Sequence, residues 1–218
     1  MPSESTKLLS VPDHLVVTAA SLQAGIDFIE SRLQTAMSIG GCHVHMGTYN
    51  AVLKLGEGLY LEVIAIDPDA PPINRARWFG LDRLSAVSEP QLATWVARTN
   101  NIEAAIAATG EWTGPVEPMS RGALEWKITI PPDGKMPFAG VAPAIIQWAA
   151  TSHPTEKMPT SEVSLVELQM VHPEASELNR RLAEIGFEHS QLIPPAISGK
   201  SPRLAATFRT LAGEVRLG

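Results

Sequence analysis

The segment DHLVVTAASLQAGIDFIESRL, residues 13–33, contains a change of period. Its first six residues, Asp13 to Thr18, form a short β-branched run, which predicts a strand. Leu22, Ile26, Ile29 and Leu33 then recur at helical spacing. Leu22 to Gln34 therefore reads as an amphipathic helix, with Ser21 as its N-cap. Gly40 and Gly41 read as a break in the chain. Asn50 to Leu55 and Leu59 to Ala65 read as strands around a tight turn at Gly56-Glu57-Gly58. The order is strand, helix, then two or three antiparallel strands.

Working outward, residues 67–90 hold Pro68, Pro71, Pro72 and Pro90 and read as a connecting segment. The order then returns. Leu92 to Thr99 is a predicted strand and Ile102 to Ala108 a predicted helix. Ala123 to Ile130 and Ala144 to Ala149 are predicted strands, with a turn at Pro131-Pro132-Asp133-Gly134. His14 lies eight residues before Leu22, and Thr94 eight before Ile102. Matching Leu59–Ile64 to Ala144–Ala149 sets Glu62 opposite Gln147. The offset then grows from 80 (94 less 14) to 85 (147 less 62), which an extra loop around Gly134 to Gly140 would supply. A shorter third pass follows: strand Leu165–Val171, helix Ala175–Ile185 ending at Gly186, and a hairpin of Leu204–Thr210 with Val215–Leu217. The expected organisation is a module at 11–66, the connector at 67–90, a second module at 91–153 and a truncated third at 163–218.

The chain has 218 residues, with 17 Lys plus Arg against 23 Asp plus Glu and a formal net charge of −6. That balance argues against nucleic acid or an anionic membrane surface as the main partner. A hydrophobic fraction of 44% with 18% charged residues is that of a globular protein. The single cysteine, Cys42, excludes an intrachain disulfide and a four-cysteine zinc site. Met1 to Ser10 has no long apolar run, and no stretch of about 18 apolar residues occurs, so a cytoplasmic protein without a membrane span is expected.

Several short segments fall in a distinctive order. They are Asp13-His14-Leu15-Val16-Val17, Gly40-Gly41-Cys42-His43, Gly47-Thr48-Tyr49-Asn50 and Tyr60-Leu61-Glu62. Arg77-Trp78-Phe79-Gly80-Leu81, Trp95 with Arg98-Thr99, Met119-Ser120-Arg121, and Trp148 with His153-Pro154 come next. Together, over most of Val11 to Leu217, they resemble the glyoxalase-like domain proteins of the vicinal oxygen chelate superfamily. The resemblance implies an α+β fold of repeated βαβββ modules. These would form a curved, cup-like mixed sheet with helices on its outer face. It also implies a metal or ligand inside the cup, with metal ligands on the first and last strands of a module.

Side chains alternate along a strand. His14, Val16 and Thr18 therefore share one face, as do Tyr60, Glu62 and Ile64. If the apolar faces pack under the helix, His14 and Glu62 meet on the concave side. An imidazole and a carboxylate there suit a divalent ion such as Zn²⁺, Mn²⁺, Fe²⁺ or Ni²⁺, and equally suit a metal-free hydrogen-bonded pair. The second module offers Thr94 and Gln147 in the matching places, so a third ligand would come from His43, His45, water, substrate or another subunit. Cys42, His43 and His45 read as a metal cluster or as an ordinary loop, and the resemblance favours His43 as a site residue. Asn50, with Val52 and Lys54, faces the cup; it binds a substrate oxygen or fixes the Gly47-Thr48 turn. Arg98 shares a face with Thr94 and Val96. Arg98 and Arg121 are candidate carboxylate or phosphate ligands, with surface ion pairs as the alternative. Trp95 and Trp148 are expected beneath helices, and His153 in a capped turn.

The function these residues imply, with the resemblance, is a glyoxalase-like small-molecule enzyme of the lyase or isomerase type acting on a carbonyl compound. Glu62 is its catalytic residue, as metal ligand or as base. His43, Asn50, Arg98, Arg121 and Gln147 bind substrate, and His14 and Glu62 hold the metal. The alternative is a non-catalytic binding module like the bleomycin-binding branch. The ligand is expected to be anionic, and the edge strands are candidate surfaces for a homodimer.

Overall fold

A computed structural model describes residues 7–109, 112–149 and 153–218. Residues 1–6 of the N-terminal stretch, and positions 110–111 and 150–152 of the 91–153 module, lie outside the described residues. The first half of the chain runs β1 (Ser10–Thr18), α1 (Leu22–Leu33), β2 (Ser38–His43), β3 (Thr48–Gly56) and β4 (Leu59–Ile66). The second half repeats this as β5 (Gln91–Thr99), α2 (Ile102–Thr109), β6 (Val116–Arg121), β7 (Leu124–Thr129) and β8 (Ala144–Trp148). The helix starts where its period predicts: the Ser21 hydroxyl accepts from the Ala24 N–H at 3.2 Å. It ends on Gln34 in the left-handed conformation, one residue short of the predicted limit.

All eight strands join one mixed sheet in the order β2-β3-β4-β1-β5-β8-β7-β6. Within each half the first strand pairs parallel to the last, β1 with β4 and β5 with β8. The halves meet at the antiparallel β1–β5 pair. The sheet curls until β2 and β6 approach, with the Arg121 side chain lying over Gly41. Two expectations change here. Gly40 and Gly41 do not break the chain but lie inside β2. Val116 to Arg121, which carries Pro118 and no apolar alternation, is an edge strand, the sheet position that tolerates proline.

The two faces carry separate cores. On the convex face, Leu15, Val17, Leu61, Val63 and Trp95 pack with the inner stripe of α1. On the concave face, Val16, Ile64, Val96, Ile128 and Ile146 pack around Trp78, Phe79 and Leu81 from the connecting segment. Trp78 and Phe79 stack at 5.3 Å and fill one end of the cup. The chain then forms β9 (Ser164–His172), α3 (Ala175–Glu184), β10 (Ile197–Ser198), β11 (Arg203–Thr210) and β12 (Gly213–Leu217). These strands make a second sheet, ordered β10-β9-β11-β12. Leu168, Leu178, Leu182 and Phe208 join the convex core, so the outer face is covered by a sheet as well as by helices. No described helix is long and apolar enough to cross a membrane.

Candidate functional site

The concave side of the cup holds a small pocket of about 20 Å³, lined by His14, His43, Asn50, Tyr60, Glu62 and Arg121 with Trp78, Phe79, Trp126, Ile128, Ile146 and Trp148. Behind His14 lies a residue that strict alternation hides. The β1–β5 register slips between Pro12 and His14, and this irregularity brings both Asp13 and His14 to the concave side. Asp13 is fully buried. One of its oxygens accepts from His14 Nδ1 at 2.6 Å. The other accepts from the Trp148 indole N–H at 2.9 Å and from His153 Nε2 at 3.0 Å. Burial opposes ionisation of this carboxyl, but the hydrogen bonds from His14 and His153 outweigh it and hold it far below the usual carboxylate range. His153 also caps the short helix that follows it, accepting the Thr155 N–H at Nδ1, so its proton lies on Nε2. The predicted capped turn is present, and its other face supports the site.

With Nδ1 committed to Asp13, His14 turns Nε2 toward Glu62. The Nε2 to Oε2 distance is 3.6 Å, too long for a hydrogen bond and short enough for both to meet one small group. The His14 ring lies flat on Tyr60, with centroids 4.6 Å apart. The other Glu62 oxygen accepts from Asn50 Nδ2 at 2.5 Å. Asn50 Oδ1 in turn accepts from Arg121 at 2.8 Å and from the Gly41 N–H at 3.0 Å. Asn50 thus bridges a carboxylate and a guanidinium that would otherwise be free to pair. The two glycines of β2 make this possible: a Cβ on Gly40 would sit 2.1 Å from Asn50 Oδ1, and one on Gly41 would sit 3.2 Å from Arg121 Cδ.

Arg121 also donates to His43 Nε2 at 3.2 Å, while His43 Nδ1 lies 3.3 Å from the Thr48 hydroxyl. Burial first, then the charges of Arg121 and His14, push the His43 pKa down to about 3. A neutral ring accepting at Nε2 and donating at Nδ1 fits that environment. His45 is exposed on the next short helical turn, so Cys42, His43 and His45 do not form a cluster.

His14, His43, Asn50, Glu62 and Arg121 therefore converge. Arg98 and Gln147 do not. Arg98 stands beyond the pocket, with its guanidinium 3.6 Å from Asp13 and packed over Gly58. Gln147 faces the convex side, where its side-chain oxygen accepts the first N–H of α2, that of Ile102, at 2.7 Å. The concave side of β8 carries Ala144, Ile146 and Trp148 instead. The predicted match of Glu62 with Gln147 used an odd offset, and one residue of slip exchanges the faces of a strand. The same slip put Trp148 under a helix, whereas it lines the pocket. Trp95 does lie on the convex side, donating to the Val141 carbonyl at 2.8 Å. The Thr94 hydroxyl is spent on the Ala142 carbonyl at 3.3 Å.

The donor chemistry fits a catalytic metal poorly. His14 Nε2 and Glu62 Oε2 converge, and Asp13 supports His14 as outer-shell carboxylates do. The next candidate, His43 Nε2, is occupied by the Arg121 guanidinium, whose positive charge opposes a cation. No group of three or more His, Cys, Asp or Glu suited to a metal occurs among the described residues. The expected divalent ion therefore lacks a third protein ligand.

Residues 13–186 match the family model of the glyoxalase-like domain. No curated protein matches the chain. Among solved structures, a hypothetical protein from Staphylococcus aureus shares 16% identity, covers 91% of this chain and 88% of its own, and superposes with a TM-score of 0.59. Streptomyces coelicolor methylmalonyl-CoA epimerase in complex with 2-nitronate-propionyl-CoA shares 16% identity over 66% of this chain and 99% of its own, with a TM-score of 0.43. The first likeness concerns the fold alone. Spanning most of both halves of the curled sheet, the family match assigns the chain to the glyoxalase-like domain proteins of the vicinal oxygen chelate superfamily.

Proposed function

We propose that this protein is an acid–base enzyme of the lyase or isomerase type that moves a proton at the carbon beside a carbonyl in a small anionic molecule. The observation that carries the reading is the buried line Asp13–His14–Glu62, which ends at the pocket. Glu62 takes the substrate proton, with Asn50 holding its second oxygen. His14 exchanges a proton with the carbonyl oxygen at Nε2, and Asp13 fixes the ring and stabilises its charged form. The described contacts of Arg121 are with neutral His43 and Asn50, so its charge is available to an anionic substrate oxygen. In this reading the modules at 11–66 and 91–153 form the two walls of the cup, and 163–218 is a truncated third unit.

A second reading, a non-catalytic binding module, is favoured by the apolar concave side of β8, where Ile146 and Trp148 offer no second acid. Proton exchange separates the two. Short oxo acids incubated with the protein in D₂O are expected to gain deuterium beside the carbonyl above the buffer rate, with a loss of about 100-fold or more in Glu62→Gln. Saturable binding without exchange replaces the enzyme with the binding module.

A further inference from the structure

We infer that the substrate carries an aryl ring, which lies on a shelf of Met119, Trp126 and Trp148 outside the polar pocket; this deepens the reading above and rests on it. Strand register builds the shelf. Met119 pairs with Trp126, and Trp126 with Trp148, across β6, β7 and β8. All three side chains face into the cup, and the two indoles lie 5.2 Å apart, tilted by 48°. They wall a second, larger cavity of about 400 Å³, which shares Trp126 and Trp148 with the polar pocket. The polar pocket is closed behind by Trp78 and Phe79. A molecule whose reacting carbon reaches Glu62 must therefore extend outward across the two indoles.

The chemistry of the shelf selects what extends. A thioether and two indoles offer polarizable, flat surface, which favours an offset or edge-on ring over a hydrated polar tail. The shelf is held in place: Trp148 is pinned by its bond to Asp13, and Trp126 stands edge-on to His43 at 6.1 Å. His45, Ser120, Glu125, Lys127 and Gln147 make up the polar margin of the cavity, where Lys127 is paired with Glu103 at 2.9 Å. The occupant is thus the apolar end of the same molecule whose anionic end meets Arg121.

Three probes test this, each differing in one feature: acetoacetate, benzoylacetate and acetophenone. Benzoylacetate is expected to bind the wild-type protein about 10- to 100-fold more tightly than acetoacetate, the gain from burying a phenyl group. The gap should close in Trp148→Ala and narrow in Met119→Ala, yet persist in Trp148→Phe, which keeps a ring but loses the bond to Asp13. Equal affinity of the two oxo acids for wild type overturns the shelf and leaves the anion reading standing. Acetophenone binding as tightly as benzoylacetate, with acetoacetate unbound, keeps the shelf and removes the role of Arg121. Failure of all three to bind overturns both. The wild-type comparison requires no variant to fold.

Discussion

Asn50 does for this site what neither charged neighbour does alone. Its amide satisfies Glu62 with one end and Arg121 with the other, so the carboxylate and the guanidinium stay separate and oriented. Replacing it with leucine removes both bonds and lets Arg121 turn toward Glu62. Hydrogen bonds to charged groups contribute about 1.5–3 kcal/mol, so kcat/KM for proton exchange should fall about 10- to 100-fold in Asn50→Leu, read by steady-state kinetics. Gly40→Ala should produce a similar loss without replacing a polar side chain. Its methyl would meet Asn50 Oδ1 at 2.1 Å and push the amide away. Unchanged kinetics in Gly40→Ala would mean that Asn50 does not position Glu62. The alternation of β3 assigns Asn50 to the cup from sequence alone; that it joins Glu62 to Arg121 depends on three strands from both halves.

At the scale of the element, β1 and β8 depart from the simple pattern. Strict alternation places Asp13 on the face opposite His14, and the irregularity after Pro12 is what overrides it. Proline is common at bulges, so Pro12 is the one local sign of this. In β8 the run Ala144-Ile145-Ile146 is apolar and buried on both faces, and so its register is not written in its composition. Gln147 serves the adjacent helix as an N-terminal acceptor from outside the helix itself. Gln147→Ala is therefore expected to cost about 0.5–2 kcal/mol of stability, as loss of a helix cap does, and to leave unchanged the affinity for acetoacetate, which reaches only the polar pocket. Denaturant unfolding and ligand titration on the same variant check both halves of that expectation.

Across the whole molecule, the buried ionisable groups make stability depend on pH in two windows. His43 in the folded protein titrates at about 3, well below the unfolded value near 6.5. Between those values the unfolded chain binds a proton that the native ring refuses, so stability falls as pH drops from about 6.5. Asp13 is also depressed, so its contribution is present above the unfolded carboxylate value and is lost below about pH 4. Chemical denaturation from pH 7 to 4.5 isolates the first window. His43→Gln should flatten the slope there, whatever its effect on absolute stability; an unchanged slope would assign the loss to other groups. Both groups are buried because the sheet curls and the connector fills its far end, a property of the assembled cup.

The sequence by itself determined the repeat of strand, helix and strands, the helix bounds set by Ser21 and the apolar stripe, the faces of β3 and β4, and those of β1 from His14 onward. Those are local: a period of two or of 3.6 residues can be read within one segment. His14, Glu62 and Asn50 were therefore legible as cup residues. Tertiary structure alone decided that Arg121 meets Asn50, because β2 and β6 lie far apart in sequence and approach only when the sheet curls. It also decided that Arg98 stops at Asp13, that Gln147 turns outward, and that Trp126 and Trp148 form a wall. Register between strands is set by packing against distant neighbours, and a shift of one residue moves every side chain to the other face.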